Sequence, residues 1–501
     1  MIFFSAGNVF ALPAGQQVVN GQASFITQSN NLAITSSPNA IINWQGFSIA
    51  NNESVRFIQQ YAESSVLNRV IGQDPSRILG LLQSNGRVFL INPNGILFGQ
   101  GARIDVNGLF ASTLAISNQD FLAGKFNFSA GAVAGSIQNQ GTITTPEGGK
   151  VYLIAPDIEN SGIINSPQGE VLLAAGHSVQ LVDSLNPDIA VVVSAPENKS
   201  VNLGQIVAQS GKVGIYGGLI SQKGIVNADS AVSEGGRIFL RATKSIELDD
   251  TSNISADGVK GGQIIVKTEA DGKISGELTA RGTISAQGNG TKGSGGFVET
   301  SAKTADINNV KVNTRGGTWL LDPDDVEINS TGTISGATLV TPGTIQGALV
   351  DNNFVVQTDA AGTGGNGDIF VNGAVSWTSA NSLTLNAYRN INVNAPITND
   401  YTTSGVKLIL RADSSANGTG TVTFGSVGGP AAGSVNTGDY GTVSLYYNPT
   451  DYLAATFDTD VANFNDKVTA NYRTYYMLVN NVNNLQAMNT NLAGVYALGK
   501  N

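Results

Sequence analysis

Few residues in this 501-residue chain could do chemistry, and they stand apart from one another. There is no cysteine and only one histidine, His177. Thiolate nucleophiles, cysteine-ligated metals and disulfide staples are therefore excluded. His177 lies in Val171-Leu172-Leu173-Ala174-Ala175-Gly176-His177-Ser178-Val179, a short β run ending in a corner. With no companion histidine or cysteine it reads as structural, and serine-histidine-aspartate chemistry has no support. The densest carboxylates are in Asp322-Pro323-Asp324-Asp325. Clustered carboxylates in a turn have the oxygen chemistry of calcium ligands, but this stretch lacks the central glycine and terminal glutamate of an EF-hand loop. The repeats also lack the aspartate-bearing nonapeptides of calcium-binding β-rolls. The segment reads as a solvated turn and a domain boundary. No catalytic residue, metal site or cofactor is assigned.

The elements that carry these residues are short strands and turns. Gly 61 against Pro 14, with only 13% charged residues and abundant Asn, Ser and Thr, favours a turn-dense all-β protein. A chain of this length exceeds one ordinary core, so two domains or one elongated repeat is expected. The net charge is -10, no block of Lys and Arg occurs, and neither residue precedes Arg56. A basic patch for nucleic acid or heparin is excluded on that ground.

Arg87 to Leu114 shows the local grammar. Val88 and Leu90, with Phe89 and Ile91, make an apolar β run. Asn92-Pro93-Asn94-Gly95 then supplies a turn in which Pro93 presets φ and Gly95 accepts a positive φ. Ile96-Leu97-Phe98 restarts the run, Gly99 and Gly101 break it, and Ile104, Val106 and Leu109 suggest a strand with one buried face.

Downstream, a glycine, often doubled, precedes a β run at Lys150, Glu170, Lys212, Arg237, Gln263, Phe297 and Thr318. The glycines before these positions are separated by 20, 42, 25, 26, 34 and 21 residues. The spacing clusters near twenty-odd, and 42 reads as two coils. Second strands precede many of these runs, as at Asn139-Gln140-Gly141-Thr142-Ile143 and Ile254-Ser255-Ala256-Asp257-Gly258. Short strands with corners at a near-constant period predict a solenoid, because a single coil cannot bury its own apolar face. A right-handed parallel β-helix follows, with about 14 coils between residues 20 and 328 and a length on the order of 70 Å.

Several segments in order carry a family resemblance: Leu12-Pro13 with Gly15, Val19-Asn20-Gly21-Gln22-Ala23, Ile42-Asn43-Trp44-Gln45-Gly46-Phe47-Ser48-Ile49, Ser65-Val66-Leu67-Asn68-Arg69-Val70 and Asn92-Pro93-Asn94-Gly95-Ile96. Together they resemble the amino-terminal secretion domain of the filamentous haemagglutinin family, the exoproteins of bacterial two-partner secretion, over residues 12–270. The resemblance implies a β-helix closed by an amino-terminal cap, here 18–50, with Trp44 and Phe47 over the first coil. It also implies export through the periplasm of a Gram-negative bacterium and a cognate outer-membrane transporter as partner. The end use it implies is that of a secreted or cell-surface adhesin whose receptor or glycan is unknown. Asn92, Pro93, Asn94, Gly95 and Ile96 take the place of the family's secretion motif. Its second motif, asparagine-proline-asparagine-leucine, has no counterpart placed in this chain. The absence of cysteine suits a chain that crosses an oxidising compartment unfolded.

The apolar start, Ile2 to Ala11, reads as the remnant of a signal peptide over residues 1–11, with Ala11 suited to cleavage. No other stretch approaches ~20 apolar residues, so no membrane span is expected. Residues 52–82 leave room for a helical or hairpin excursion. Residues 271–328 read as β-helix continuation. Residues 329–501 read as a second β-rich repeat domain, with strands such as Phe354-Val355-Val356-Gln357-Thr358 and a short capped helix through Val482, Leu485, Met488 and Leu492. Its tyrosines suit core packing, with a glycan-stacking face as the alternative. Two competing functions stay open: the delivery stalk of a contact-dependent toxin, and a polysaccharide-active enzyme on a β-helix. The enzyme would need charged residues converging from adjacent coils, whereas Lys150, Glu170, Lys212 and Arg237 are single charges beside glycine corners.

Overall fold

A computed structural model of the chain describes residues 12–181, 191–194, 197–291, 293–359, 365–426 and 432–500. The expected signal-peptide remnant and its cleavage point fall outside them. The chain divides into two compact units, Met1–Ala256 and Asp257–Asn501.

The first unit is a parallel β-helix whose coils present three strand faces. One face stacks Ala40–Trp44, Ser65–Val70 and the later halves of Leu81–Ile91 and Arg103–Ser112, followed by Lys150–Ala155, Glu170–Ala175, Lys212–Gln222 and Arg237–Leu248, all in parallel. A second face stacks Ser76–Ile78, Ile96–Phe98, Ile137–Asn139, Ile158–Asn160 and Lys199–Asn202. Register is strict because the same side chain recurs on each coil: Val88, Leu109, Val151, Val171, Val213 and Ile238 align inward and are fully buried. The glycine before each run has a steric cause. A Cβ at Gly169 would lie 2.1 Å from the Gly149 carbonyl oxygen, and one at Gly211 would lie 2.3 Å from that of Gly169.

A column of buried amides runs up the second face. Asn139 Nδ2 donates to Asn160 Oδ1 at 2.7 Å, Asn160 Nδ2 to Asn202 Oδ1 at 2.8 Å, and Asn202 Nδ2 to Gln222 Oε1 at 2.9 Å. Each amide thus satisfies the next, which makes polar side chains tolerable inside the coil.

The cap is antiparallel, unlike the coils. Gln17–Asn20 pairs with Ala40–Trp44, and Ala23–Gln28 pairs with Asn31–Ser36. Trp44 and Phe47 are buried at its base, edge to face with centroids 5.5 Å apart. Segment 52–82 corrects the expected excursion. It holds ordinary parallel coil strands, Ser54–Gln59, Ser65–Val70 and Ser76–Ile78.

The 42-residue spacing is a second correction. Glu170–Ala175 pairs directly with Lys212–Gln222, so 42 residues make one coil carrying an insertion. Ser178–Leu181 leaves the helix and joins Asn127–Ser129 and Val191–Ser194 in a separate antiparallel sheet. A second 42-residue interval, from Gly108 to its direct partner Lys150, is likewise one coil, so the number of coils expected up to residue 328 is too high.

The short helix Asn118–Leu122 lies beside that sheet's first strand, with Phe121 packed edge to face on Phe89 at 5.1 Å and Phe126 stacked on Phe89 and Phe110. Phe89 and Phe110 stack at 4.2 Å on the outward side of the coil. Strands covered on both sides read as continuous apolar runs, and Val88-Phe89-Leu90-Ile91 is such a run, buried throughout.

The second unit is also a β-helix. Gln263–Ala270, Phe297–Ser301, Thr318–Asp322, Asn353–Gln357, Leu383–Asn386, Lys407–Arg411 and Val435–Tyr447 stack in parallel, and Val468–Val479 follows. A helix, Pro342–Asp351, is inserted between coil strands. Its proline sits at the first helical position, and the Thr341 side chain accepts the Thr344 N–H at 3.1 Å. The expected carboxy-terminal helix is present as Val482–Ala487, capped by Asn481, but its apolar residues Val482 and Leu485 are exposed.

Candidate functional site

Asn92 to Ile96 forms the corner between Leu81–Ile91 and Ile96–Phe98. The Gly95 N–H donates to the Asn92 carbonyl at 3.2 Å, closing a four-residue turn, and Gly95 has φ +120°, which other residues rarely adopt.

Both asparagine side chains are spent inside the coil. Asn92 is fully buried. Its Nδ2 donates to the Asp74 carbonyl and to Ser76 Oγ, both at 3.0 Å, and its Oδ1 accepts the Asn94 N–H at 3.0 Å. Asn94 Nδ2 donates to the Gly72 carbonyl at 2.9 Å and to Asn92 Oδ1 at 3.1 Å. The backbone is tied on both sides as well. The Asn92 N–H reaches the Ser112 carbonyl at 2.9 Å, Gly135 N–H the Pro93 carbonyl at 2.7 Å, and Ile96 N–H the Ser136 carbonyl at 3.1 Å. The turn therefore bolts together the coil before it, through 72–76, and the coil after it, through 112 and 135–136. The sequence marks Asn92 and Asn94 as turn-formers, yet these partners lie 16 to 22 residues away for the side chains. The signal for them is a serine, Ser76, at a position whose neighbours along the column are apolar.

A second keystone was not singled out in the sequence beyond its place in the resemblance. Trp44 Nε1 donates to Asn68 Oδ1 at 3.0 Å, and Asn68 Nδ2 donates to the Phe89 carbonyl at 3.2 Å. The next residue, Arg69, reaches outward to Asn118 Oδ1 at 2.8 Å and the Ile116 carbonyl at 2.9 Å. Asn68 thus fixes the cap to the coil, and Arg69 fixes the outer helix.

The other candidate residues fall elsewhere. His177 has an exposed side chain, and its backbone joins the outer sheet through Ala130 and Ser194. Lys150, Glu170, Lys212 and Arg237 are in register, with Glu170 bridging Lys150 at 3.7 Å and Lys212 at 4.0 Å. They form a column of three cations around a single carboxylate rather than paired carboxylates.

The turn at 322–325 is a correction: it is not solvated. Asp322 is 7% and Asp324 2% exposed, and Asp322 Oδ1 and both Asp324 carboxylate oxygens have no hydrogen-bond partner. Burial, with repulsion from Asp359 and Glu299, pushes Asp322 up to about 7, although Gln357 Nε2 donates to its other oxygen at 3.0 Å. The chain continues here into another coil strand, Val326–Ile328, and so carries the aspartates inward. Among the described residues no group of three or more His, Cys, Asp or Glu side chains converges to hold a metal ion.

The tyrosines divide. Tyr447, Tyr452 and Tyr475 are buried, and Tyr446 and Tyr476 stack on each other at 4.6 Å with Arg411 over Tyr446 at 5.2 Å. At least one ring face of each stacked tyrosine is therefore already covered.

Comparison with known proteins follows the same lines. The family model of the TPS secretion domain matches residues 10–266. The crystal structure of the HMW1 secretion domain from Haemophilus influenzae is 30% identical in sequence, with a TM-score of 0.57 over 80% of this chain and 98% of that one. The heme/hemopexin-binding protein of Haemophilus influenzae strain Rd is 46% identical over 103 residues, which is 20% of this chain and 11% of that protein. A second Haemophilus influenzae protein of the same name is 46% identical over 77 residues, 15% of this chain and 8% of its own length. The matches thus span about a tenth of the curated relatives.

Proposed function

This chain belongs to the TPS secretion domain family, and from that premise we propose that residues 12–270 are read by a two-partner outer-membrane transporter while unfolded and then close into the β-helix outside the cell. The observation that carries this reading is the fate of Asn92 and Asn94. In the folded coil their amides are engaged with Asp74, Ser76 and Gly72, and Asn92 is fully buried. A partner that reads these side chains must meet them before the coil closes. The same bonds then join consecutive coils, so one sequence serves recognition and folding in turn.

The remainder of the chain, residues 271–501, supplies a β-helical display surface of its own. Its use is that of a secreted, adhesin-like surface protein without enzymatic activity. The single carboxylate Glu170 among the cations Lys150, Lys212 and Arg237 supports that reading over a glycan-cleaving groove, which needs paired carboxylates.

Asn92→Ala and Asn94→Ala test the assignment. Export is measured with the partner transporter, and refolding of the purified variants is measured separately. Export should fall severalfold even where a variant still refolds. Unchanged export would sink the assigned role of the turn.

A further inference from the structure

The terminal rung of the cap carries an open strand edge. Among the described residues, Gln17–Asn20 pairs only with Ala40–Trp44, and Ala23–Gln28 only with Asn31–Ser36, so the far side of both strands has no partner strand. Such edges are usually guarded by lysine, inward charges or proline. Here they are not. Every Asp, Glu, Lys and Arg of the chain lies at or beyond Glu53, and the two edge strands read QVVN and ASFITQ. Val18, Val19 and Ile26 stand 37%, 45% and 57% exposed along them.

We propose that this edge is a homodimer interface, in which the terminal rungs of two copies pair antiparallel about a two-fold axis. A second copy fits for two reasons. A free strand edge is complementary to itself in antiparallel pairing, so a two-fold contact closes and leaves no further edge to grow from. The rung is neutral, so no like charges oppose across the axis.

The test is sedimentation velocity of the full chain from about 1 to about 100 µM, with amide hydrogen exchange over residues 17–28. The wild type should dimerise as concentration rises, with protection of Ser24 to Thr27 rising in step. Val19→Lys combined with Ile26→Lys places like charges on the edge at exposed positions, and should weaken dimerisation roughly tenfold or more with an unchanged far-UV circular dichroism spectrum. Val232→Lys, at a site 88% exposed elsewhere, should leave it unchanged. A wild type that stays monomeric throughout, a dimer indifferent to the two lysines, or an equal loss with Val232→Lys each overturns the proposal. So does capture of the edge by the transporter in place of a second copy.

Discussion

Asp322 and Glu327 lie five residues apart, both almost completely buried, and the structure treats them in opposite ways. Burial pushes Glu327 up, but the Thr333 hydroxyl and N–H, the Ile334 N–H and the amides of Asn329 and Asn372 all donate to it and hold it at about 2. Asp322 has one donor, Gln357, and one oxygen with no partner. Its carboxyl rises to about 7, mainly through burial. The sign of the linkage follows from the folded value lying above the unfolded one. Protonated Asp322 contributes stability that is fully present below the ordinary aspartate range and is lost as pH rises through 7. Urea unfolding of the chain should therefore show the second unit weakening between about pH 4 and pH 7, by on the order of 4 kcal/mol at most, with little further change up to pH 8. Asp322→Asn should flatten that dependence and stabilise the unit at pH 8. A variant that keeps the wild-type pH slope would show that the cost of this carboxyl is met elsewhere. The sequence shows that carboxylates are clustered at 322–325, but not that the chain runs on into another coil, and that continuation decides whether they meet water.

At the scale of elements, the asparagine column is what holds the second face in register. Asn160 gives one bond upward and takes one from below, so Asn160→Leu keeps the size and orphans both the Asn139 amide and the Asn202 carbonyl oxygen. The expected loss is about 3 kcal/mol, read by urea unfolding, with hydrogen exchange accelerating first around residues 137–139 and 200–202. A loss below about 0.5 kcal/mol would mean the column is only tolerated.

The coil strands themselves are legible in the sequence, because the glycine before each run has a carbonyl of the neighbouring coil where its Cβ would be. What counting residues cannot show is where a long spacing goes. The 42 residues between Gly169 and Gly211 fit two coils or one coil with an excursion, and only the uninterrupted apolar run Val171-Leu172-Leu173-Ala174-Ala175, buried throughout, betrays a cover on the outer side. The helix Pro342–Asp351 had a readable start in Thr341-Pro342, hidden by the expectation of strands on either side. The turn at Asn92 to Ile96 was legible as a turn. Its partners Asp74 and Ser76 were not, since they come from the previous coil and become neighbours only when the repeat closes.

For the whole molecule, route and fold are linked by the same features. A chain with no cysteine has nothing to cross-link in an oxidising compartment. A parallel β-helix needs each coil to find its neighbour, and the bonds from Asn92 and Asn94 to residues 72–76 join two consecutive coils of the first unit. No helix among the described residues is long and apolar enough to cross a membrane. It is membership of the TPS secretion domain family that assigns passage across the outer membrane to a partner, and on that claim the functional reading stands. Its most direct measurement is the amount of chain in the culture medium of a Gram-negative host producing it with and without the two-partner transporter. Folded chain should accumulate outside only when the transporter is present and be retained when it is absent. Equal export in its absence would contradict the account.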